Sequence, residues 1–460
     1  MPHVLFYEAG RAPSGRSLRE LTTLQRAGYD VTVAHGPAAA DAVAALGFGS
    51  CLLPEPDGNP FRSRLDPWLA ELAQRRDALT AEIEQLKGSA AAGPRGQSAR
   101  ARAAALTRER AAVAARMRAI YAIRRTPTPL TAGAHFGDLA RLEPQWHRAA
   151  QAMSEVAADL LWAADLDALP AVVWAREAMV TKPPIIFDSH ELMTGLDYLP
   201  DIYRVGWRQV SERFVPLADV VVTVCEPIAQ ALREESGARR TVVIPNYAVP
   251  AADPGEPAAD LRTQLGLSAE VPLVVHIGNI RANRNPGVGV DLAEHFPGLH
   301  VAFVGAGDDQ VLAELRQRAA ERGVADRVHV VAPVPPERLT TFVSSADMSL
   351  IVLRPDLSRN HRLAMPNKLF DSLAAGVPVL SAKGLLATEF VLAEGLGRAF
   401  DPQIPGDVAA AARALLADPE PTKRARARAG DFVWTRVEPV LLNLVDDLLR
   451  QHAATKAASA

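Results

Sequence analysis

The chain is predicted to fold as two α/β domains in tandem, each a doubly wound, largely parallel sheet. Three observations predict this. Short apolar runs of strand length alternate with helical stretches over most of the 460 residues. A stretch rich in Pro, Ala and acid, Val249 to Pro257, divides the alternation into two series. Each series carries glycines directly after early strands, where a turn can bring backbone close to a ligand. A chain of this length also exceeds what one core accommodates.

The first series occupies residues 1–249. His3 to Tyr7 reads as a strand, followed by a loop holding Gly10 and Gly15. Leu18 to Ala27 is helical, and Val31 to Ala34 is a second strand. The run Leu160-Leu161-Trp162-Ala163, then Ile185-Ile186-Phe187 and Val220 to Val224, are further strands. Thr241 to Ile244 closes this half. The second series, 258–430, starts with a strand from Leu273 to Ile277 that ends in Gly278. His300 to Val304 is next and ends in Gly305-Ala306-Gly307. Val328 to Val331, Met348 to Val352 and Val377 to Leu380 follow, with helices between. Residues 431–455 read as a C-terminal helix that packs back on the first domain.

One segment departs from the alternation. From Asp66 to Arg125 there is no strand signal; Leu72, Leu79, Ile83 and Leu86 make one helical stripe, and Leu106, Val113, Met117 and Ile120 make another. Glycines and a proline between them predict a helical hairpin inserted in the first domain, residues 66–125. Residues 95–125 hold nine Arg and one Glu, whereas Asp66 to Lys87 holds five acids and three bases. The arms can pair with each other; the excess Arg also suits a peripheral contact with anionic lipid, an anionic acceptor or a partner protein.

A net charge of −3 argues against nucleic acid as the main partner. Two cysteines, Cys51 and Cys225, are too few for a disulfide framework or a zinc site. No basic leader and no long uncharged apolar run stands out, so a cytoplasmic location is expected.

The chemistry is concentrated in Met365 to Leu380, MPNKLFDSLAAGVPVL. Leu369, Phe370, Leu373 and Ala374 give a helix one apolar face, and Gly376 ends it before the strand. A helix start with Lys368 beside it attracts a phosphate. Asp371, three residues on, projects from the same side and suits sugar hydroxyls.

Taken together, Gly278-Asn279-Ile280-Arg281 with Arg284, Gly305-Ala306-Gly307, and Asn367-Lys368 with Asp371 resemble the donor half of glycosyltransferase family 4, retaining enzymes of the GT-B fold. Asp371 to Pro378 is similar to that family's ending of the ribose-binding helix. In the first half, Ile185 to Glu191, the Trp162 to Leu169 strand end, Ala218 to Cys225 and Ile244-Pro245-Asn246 are also similar. The resemblance implies a nucleotide-diphosphate sugar as donor and an unknown acceptor. It implies Gly15, Gly278, Arg281, Arg284, Gly305, Gly307, Asn367, Lys368 and Asp371 as donor-binding residues. His190, Arg281 and Lys368 would carry catalysis, with His190 facing the sugar. Without an Asp-x-Asp pair in the second domain, neither a metal nor another cofactor is expected. The chain departs from the family at one point. Of two glutamates that the family often has with seven residues between them, the first would fall at Leu363 and the second is Asp371. Other readings of the same fold are a sugar-nucleotide epimerase or hydrolase, or a non-catalytic scaffold.

Overall fold

In a computed structural model, the structure describes residues 1–54, 66–88, 94–125, 139, 142–197, 199, 201–251 and 260–459. The chain divides into two compact units, Glu55–Gln145 and the remainder, Met1–Pro54 with Trp146–Ala460.

The larger unit contains two parallel sheets. The first is built from β1 (His3–Tyr7), β2 (Asp30–His35), β3 (Gly49–Leu52), β4 (Leu160–Ala164), β5 (Ile185–Ser189), β6 (Val220–Thr223) and β7 (Thr241–Val243). Their order is β3-β2-β1-β4-β5-β6-β7. The second is built from β8 (Leu273–Ile277), β9 (His300–Val304), β10 (Val328–Val331), β11 (Met348–Ile351), β12 (Val379–Ala382) and β13 (Gly397–Phe400), in the order β10-β9-β8-β11-β12-β13. In both sheets the strand order reverses beside the first strand, between β1 and β4 and between β8 and β11. Such reversals open a crevice at the carboxyl ends of the strands, where ligands of these folds bind.

The central strands are buried on both faces, which explains their near-continuous apolar runs. The edge strands β3 and β13 were not legible from the sequence. Both begin with glycine and both are short.

The C-terminal helix, Glu438–Ser459, belongs to the core of the first sheet although it follows the second. Leu441, Leu444, Val445 and Leu448 pack with Leu21, Leu24 and Tyr29. Trp434 donates Nε1–H to Thr23 Oγ1 at 2.9 Å, and Tyr29 donates its hydroxyl to Asp446.

In the smaller unit, helices Asp66–Gly88 and Pro94–Arg125 pack through Leu79, Val113 and Met117, with Leu72, Ala73 and Leu106 alongside. Ion pairs Arg75–Glu109 (2.7 Å) and Arg102–Glu82 (3.0 Å) join the arms. The residues connecting the two helices, 89–93, lie outside those described. No helix among the described residues is long and apolar enough to cross a membrane.

Candidate functional site

Lys368 sits in the first turn of the helix Asn367–Ala374, whose preceding residue Pro366 is extended and starts the helix without a side-chain cap. Its neighbours Leu369, Phe370 and Leu373 are buried, and they draw Lys368 inward with them. The lysine is only 5% exposed, far more buried than lysines usually are. Its Nζ donates to His276 Nε2 at 3.0 Å. His276 Nδ1 faces the Leu350 carbonyl at 3.1 Å, which fixes Nδ1 as the protonated nitrogen and Nε2 as the acceptor. Burial and the nearby Arg284 push the Lys368 ammonium well below its ordinary pKa, and Asp371 offsets them only in part. Burial, with Lys368 beside it, holds His276 neutral.

Asp371 is pushed up to about 7 by burial, against the pull of Arg19 and Lys368. Arg19 comes from the first helix of the chain, Gly15–Arg26. Its Nε and Nη2 are buried without hydrogen-bond partners, its guanidinium lies 5.3 Å from the Trp434 ring, and burial with Arg16 nearby lowers it to about 10. Asp371 therefore lies between bases of both sheets.

The loop after β8 places its bases unequally. Arg281 is exposed, whereas Arg284 is half-buried and its charge acts on Lys368, His276 and Glu191. Asn367 is exposed at the helix start. Gly278 has φ +91° and open space where a Cβ would stand, so backbone is accessible there. Gly305 and Gly307 have packing reasons to be glycine. A Cβ on Gly305 would meet Gly278 O at 2.2 Å, and one on Gly307 would meet Leu312 Cδ2 at 2.8 Å. Gly15 opens the first helix with free space around it, and Gly10 (φ +76°) accepts a bond from Gly36 N at 2.8 Å.

At the end of β5 a buried set of charges surrounds His190. Asp188 is fully buried and receives Arg16 through Nε (3.0 Å to Oδ2) and Nη2 (3.0 Å to Oδ1). Arg16 Nη1 donates to the Ile244 carbonyl (2.8 Å) and Asn246 Oδ1 (3.0 Å). His190 Nε2 meets Asp188 Oδ2 at 2.8 Å, and Nδ1 lies 3.4 Å from Asp165 Oδ2. Burial alone would raise Asp188, but Arg16 and His190 hold it well below the usual carboxylate range. Burial alone would lower His190, but Asp188 and Asp165 hold it well above its ordinary value. Glu20 is fully buried 3.1 Å from Arg16 Nε, with neither oxygen in a hydrogen bond; burial, then Asp188, raise it well above a normal carboxyl. The ligand atoms of Glu20, Asp188 and His190 lie within 4.8 Å of one another, and the Arg16 guanidinium is the cation among them.

Asp165 serves the strand end, accepting His190 N–H at 3.0 Å, and Asp167 pairs with Arg11 at 2.9 Å. Asn360 reaches from the second sheet's side, accepting Leu192 N–H at 2.9 Å and donating to Glu191 Oε2 at 3.1 Å. Sequence reasoning missed Arg16, Arg19, Glu20, His276 and Asn360. Three of them carried a signal: Arg16 and Glu20 are charges one turn apart on a helix face shared with Leu21 and Leu24, and His276 interrupts an otherwise apolar strand.

Residues 97–248 match the family model Glycosyltransferase Family 4, and residues 271–418 match Glycosyl transferases group 1. Each half of the chain thus carries a segment similar to a glycosyltransferase family model. Its curated relatives include two D-inositol 3-phosphate glycosyltransferases. That of Acidothermus cellulolyticus is 31% identical over 56% of this chain and 60% of its own length. That of Nocardia farcinica is 32% identical over 54% and 57%. The chain thus spans somewhat over half the length of these relatives. Among solved structures, sucrose-phosphate synthase from Thermosynechococcus elongatus superposes with TM-score 0.63 at 18% identity, covering 98% of this chain and all of that one. HepE from Anabaena, in complex with UDP and glucose, gives 0.61 at 15%, covering 97% and 100%. These superpositions agree with the two-sheet α/β architecture.

Proposed function

We propose that the chain transfers a sugar from a nucleotide-diphosphate donor to an acceptor hydroxyl, with retention of anomeric configuration. The observation that supports this best is the setting of Lys368. A buried ammonium rests on a neutral imidazole, beside a helix N-terminus and under the repulsion of Arg284. That arrangement is costly alone and becomes favourable when a polyanion arrives. A diphosphate supplies the anion, Gly278 lets backbone approach it, and Asp371 accepts the ribose hydroxyls. HepE from Anabaena is known in complex with UDP and glucose and with UDP-glucose, which fits a donor of this class.

In the step itself, the acceptor oxygen bonds to the anomeric carbon as the bond from that carbon to the β-phosphate oxygen breaks. The acceptor proton passes to the departing phosphate oxygen, on the same face. Negative charge grows on the diphosphate, where Lys368, Arg284 and the helix N-terminus stabilise it. These groups supply the positive charge the step needs, so the reading requires no metal. The strand end at His190 faces the sugar.

The test is a thermal-shift screen of nucleotide sugars, followed by transfer assays that include D-inositol 3-phosphate, the acceptor class for which the curated relatives are named. A ligand at 100 times its Kd raises stability by about 2.7 kcal/mol. Transfer with an unchanged anomeric configuration, read by proton NMR of the product, supports the proposal. Hydrolysis or epimerisation of the donor without acceptor transfer overturns it.

A further inference from the structure

Both ring nitrogens of His190 are committed inside the protein. Nε2 is 2.8 Å from Asp188 Oδ2 and Nδ1 is 3.4 Å from Asp165 Oδ2. A carboxylate only accepts, so Nε2 carries a proton, and the second carboxylate 3.4 Å from Nδ1 favours a proton there as well, which makes the ring an imidazolium. Its backbone N–H is held as well, by Asp165 Oδ1 at 3.0 Å. Asp165 takes the left-handed conformation, φ +63°, and its own N–H donates to the Asp188 carbonyl at 2.8 Å. A non-glycine residue keeps such a conformation only where its surroundings demand it.

Behind the ring the arrangement continues. Arg16 grips Asp188 with two nitrogens and ties it to the carbonyl of Ile244 and to Asn246, at the exit of β7. Burial, then Asp188, raise Glu20 well above a normal carboxyl, and it lies 3.1 Å from Arg16 Nε. The groups facing His190 are Asp188 at the end of β5, Asp165 just after β4, and Arg16 and Glu20 from the first helix. The neighbouring Glu191 is raised by burial and Asp165, against the pull of Arg284 and His190. The His190 ring remains 13% exposed, enough to present one edge outward.

We propose that Arg16, Asp188 and Asp165 are positioning residues that hold His190 as a fixed cation, so that His190 acts on the donor sugar by charge and shape and takes no proton from the acceptor. This rests on the donor-site reading above. Three strand ends and one helix converge on this ring, and it cannot reorient without breaking two ion pairs. The step then relies on the departing phosphate oxygen as its only proton acceptor near the sugar.

The experiment uses the full chain with 15N-labelled histidine, and His190 is assigned as the signal lost in His190→Gln. In wild type both His190 nitrogens should stay protonated from pH 6 to pH 9, whereas an unperturbed histidine titrates near about 6.5. A His190 that loses a proton below pH 8 overturns the proposal, whatever the activity. Asp165→Asn is the companion variant. Asn tolerates the left-handed conformation and keeps an oxygen for the His190 N–H, so the fold should survive. It should bring His190 titration down toward neutrality and cut turnover roughly tenfold with the Km for donor unchanged. Unchanged turnover in a variant whose His190 now titrates would overturn the positioning role. Since the spectrum needs no substrate, failure to find any transfer would reject the donor-site reading and leave the protonation result standing.

Discussion

A residue's neighbours determine what its chemistry becomes. Lys368 is an ordinary helix-start lysine in the sequence and a buried, poorly compensated base in the fold. Lys368→Ala should weaken binding of a nucleoside diphosphate strongly and leave the bare nucleoside almost unaffected. Removing one such donor costs on the order of 3 kcal/mol in the transition state, or about a hundredfold in rate. Calorimetric titration with nucleoside, monophosphate and diphosphate checks this, and an equal loss for all three would remove Lys368 from the phosphate site. The free variant should also be no less stable than wild type above neutral pH, because a buried charge with an incomplete set of partners is lost with it. Asp371 gives a second test. Its folded pKa of about 7 lies above the unfolded value, so the folded chain binds the extra proton and loses stability as pH rises from about 4 to about 7. Three pH units bound that loss at about 4 kcal/mol. Asp371→Asn should therefore be more stable than wild type at pH 8 and nearly equal to it at pH 4, as read by denaturant unfolding of the unliganded chain. A stability difference independent of pH would contradict the burial of Asp371.

At the scale of elements, glycine positions separate turns from packing. Gly278, Gly305 and Gly307 all follow strands and all suggest a phosphate loop in the sequence. Only Gly278 has open space beside it; Gly305 is where β9's end lies against the Gly278 backbone. Gly305→Ala should destabilise the second domain by more than about 2 kcal/mol, since backbone at 2.2 Å cannot move aside as a flexible side chain would. Gly278→Ala should be milder in stability and harsher on diphosphate affinity. Paired unfolding and binding measurements distinguish the two, and a Gly305 variant of native stability would refute the packing argument. The same reasoning explains the strands that sequence reading missed. Gly49 lies where a Cβ would meet Thr32 Oγ1 at 2.5 Å, and Gly397 where it would meet the Val379 carbonyl at 1.9 Å. Each starts an edge strand because a neighbour strand presses on it, a cause that leaves no local pattern.

On the scale of the whole molecule, the chain's last helix completes the first sheet's core. Leu441 is fully buried among Leu21, Leu24 and other residues more than four hundred positions away. Leu441→Ala should cost about 2–5 kcal/mol and lower the unfolding midpoint of the first domain. Hydrogen exchange should show the loss in β1 and β2 as well as in the helix; protection lost in the helix alone would mean that it docks without supporting the sheet. The helix also carries Glu438, which pairs with Arg26 and accepts from Thr23 at 3.0 Å, so it is held by polar contacts at its start and apolar ones along its length.

The sequence by itself determined the two parallel sheets, eleven of their thirteen strands with a boundary or two shifted, and the helix that carries Lys368 and Asp371. These are local matters: apolar runs of strand length, a period of 3.6, and glycines at turns. The resemblance to glycosyltransferases was legible for the same reason, since its motifs are short segments at strand ends. Only the tertiary structure decided which charges face one another. Arg16 meets Asp188 across 172 positions and Lys368 meets His276 across 92, and no local pattern encodes such pairs. Burial made Lys368 a base short of partners with Arg284 in its field, while Asp188 and Asp165, working against burial, hold His190 well above its ordinary pKa. Desolvation and distance set these outcomes, and both exist only once the chain has folded.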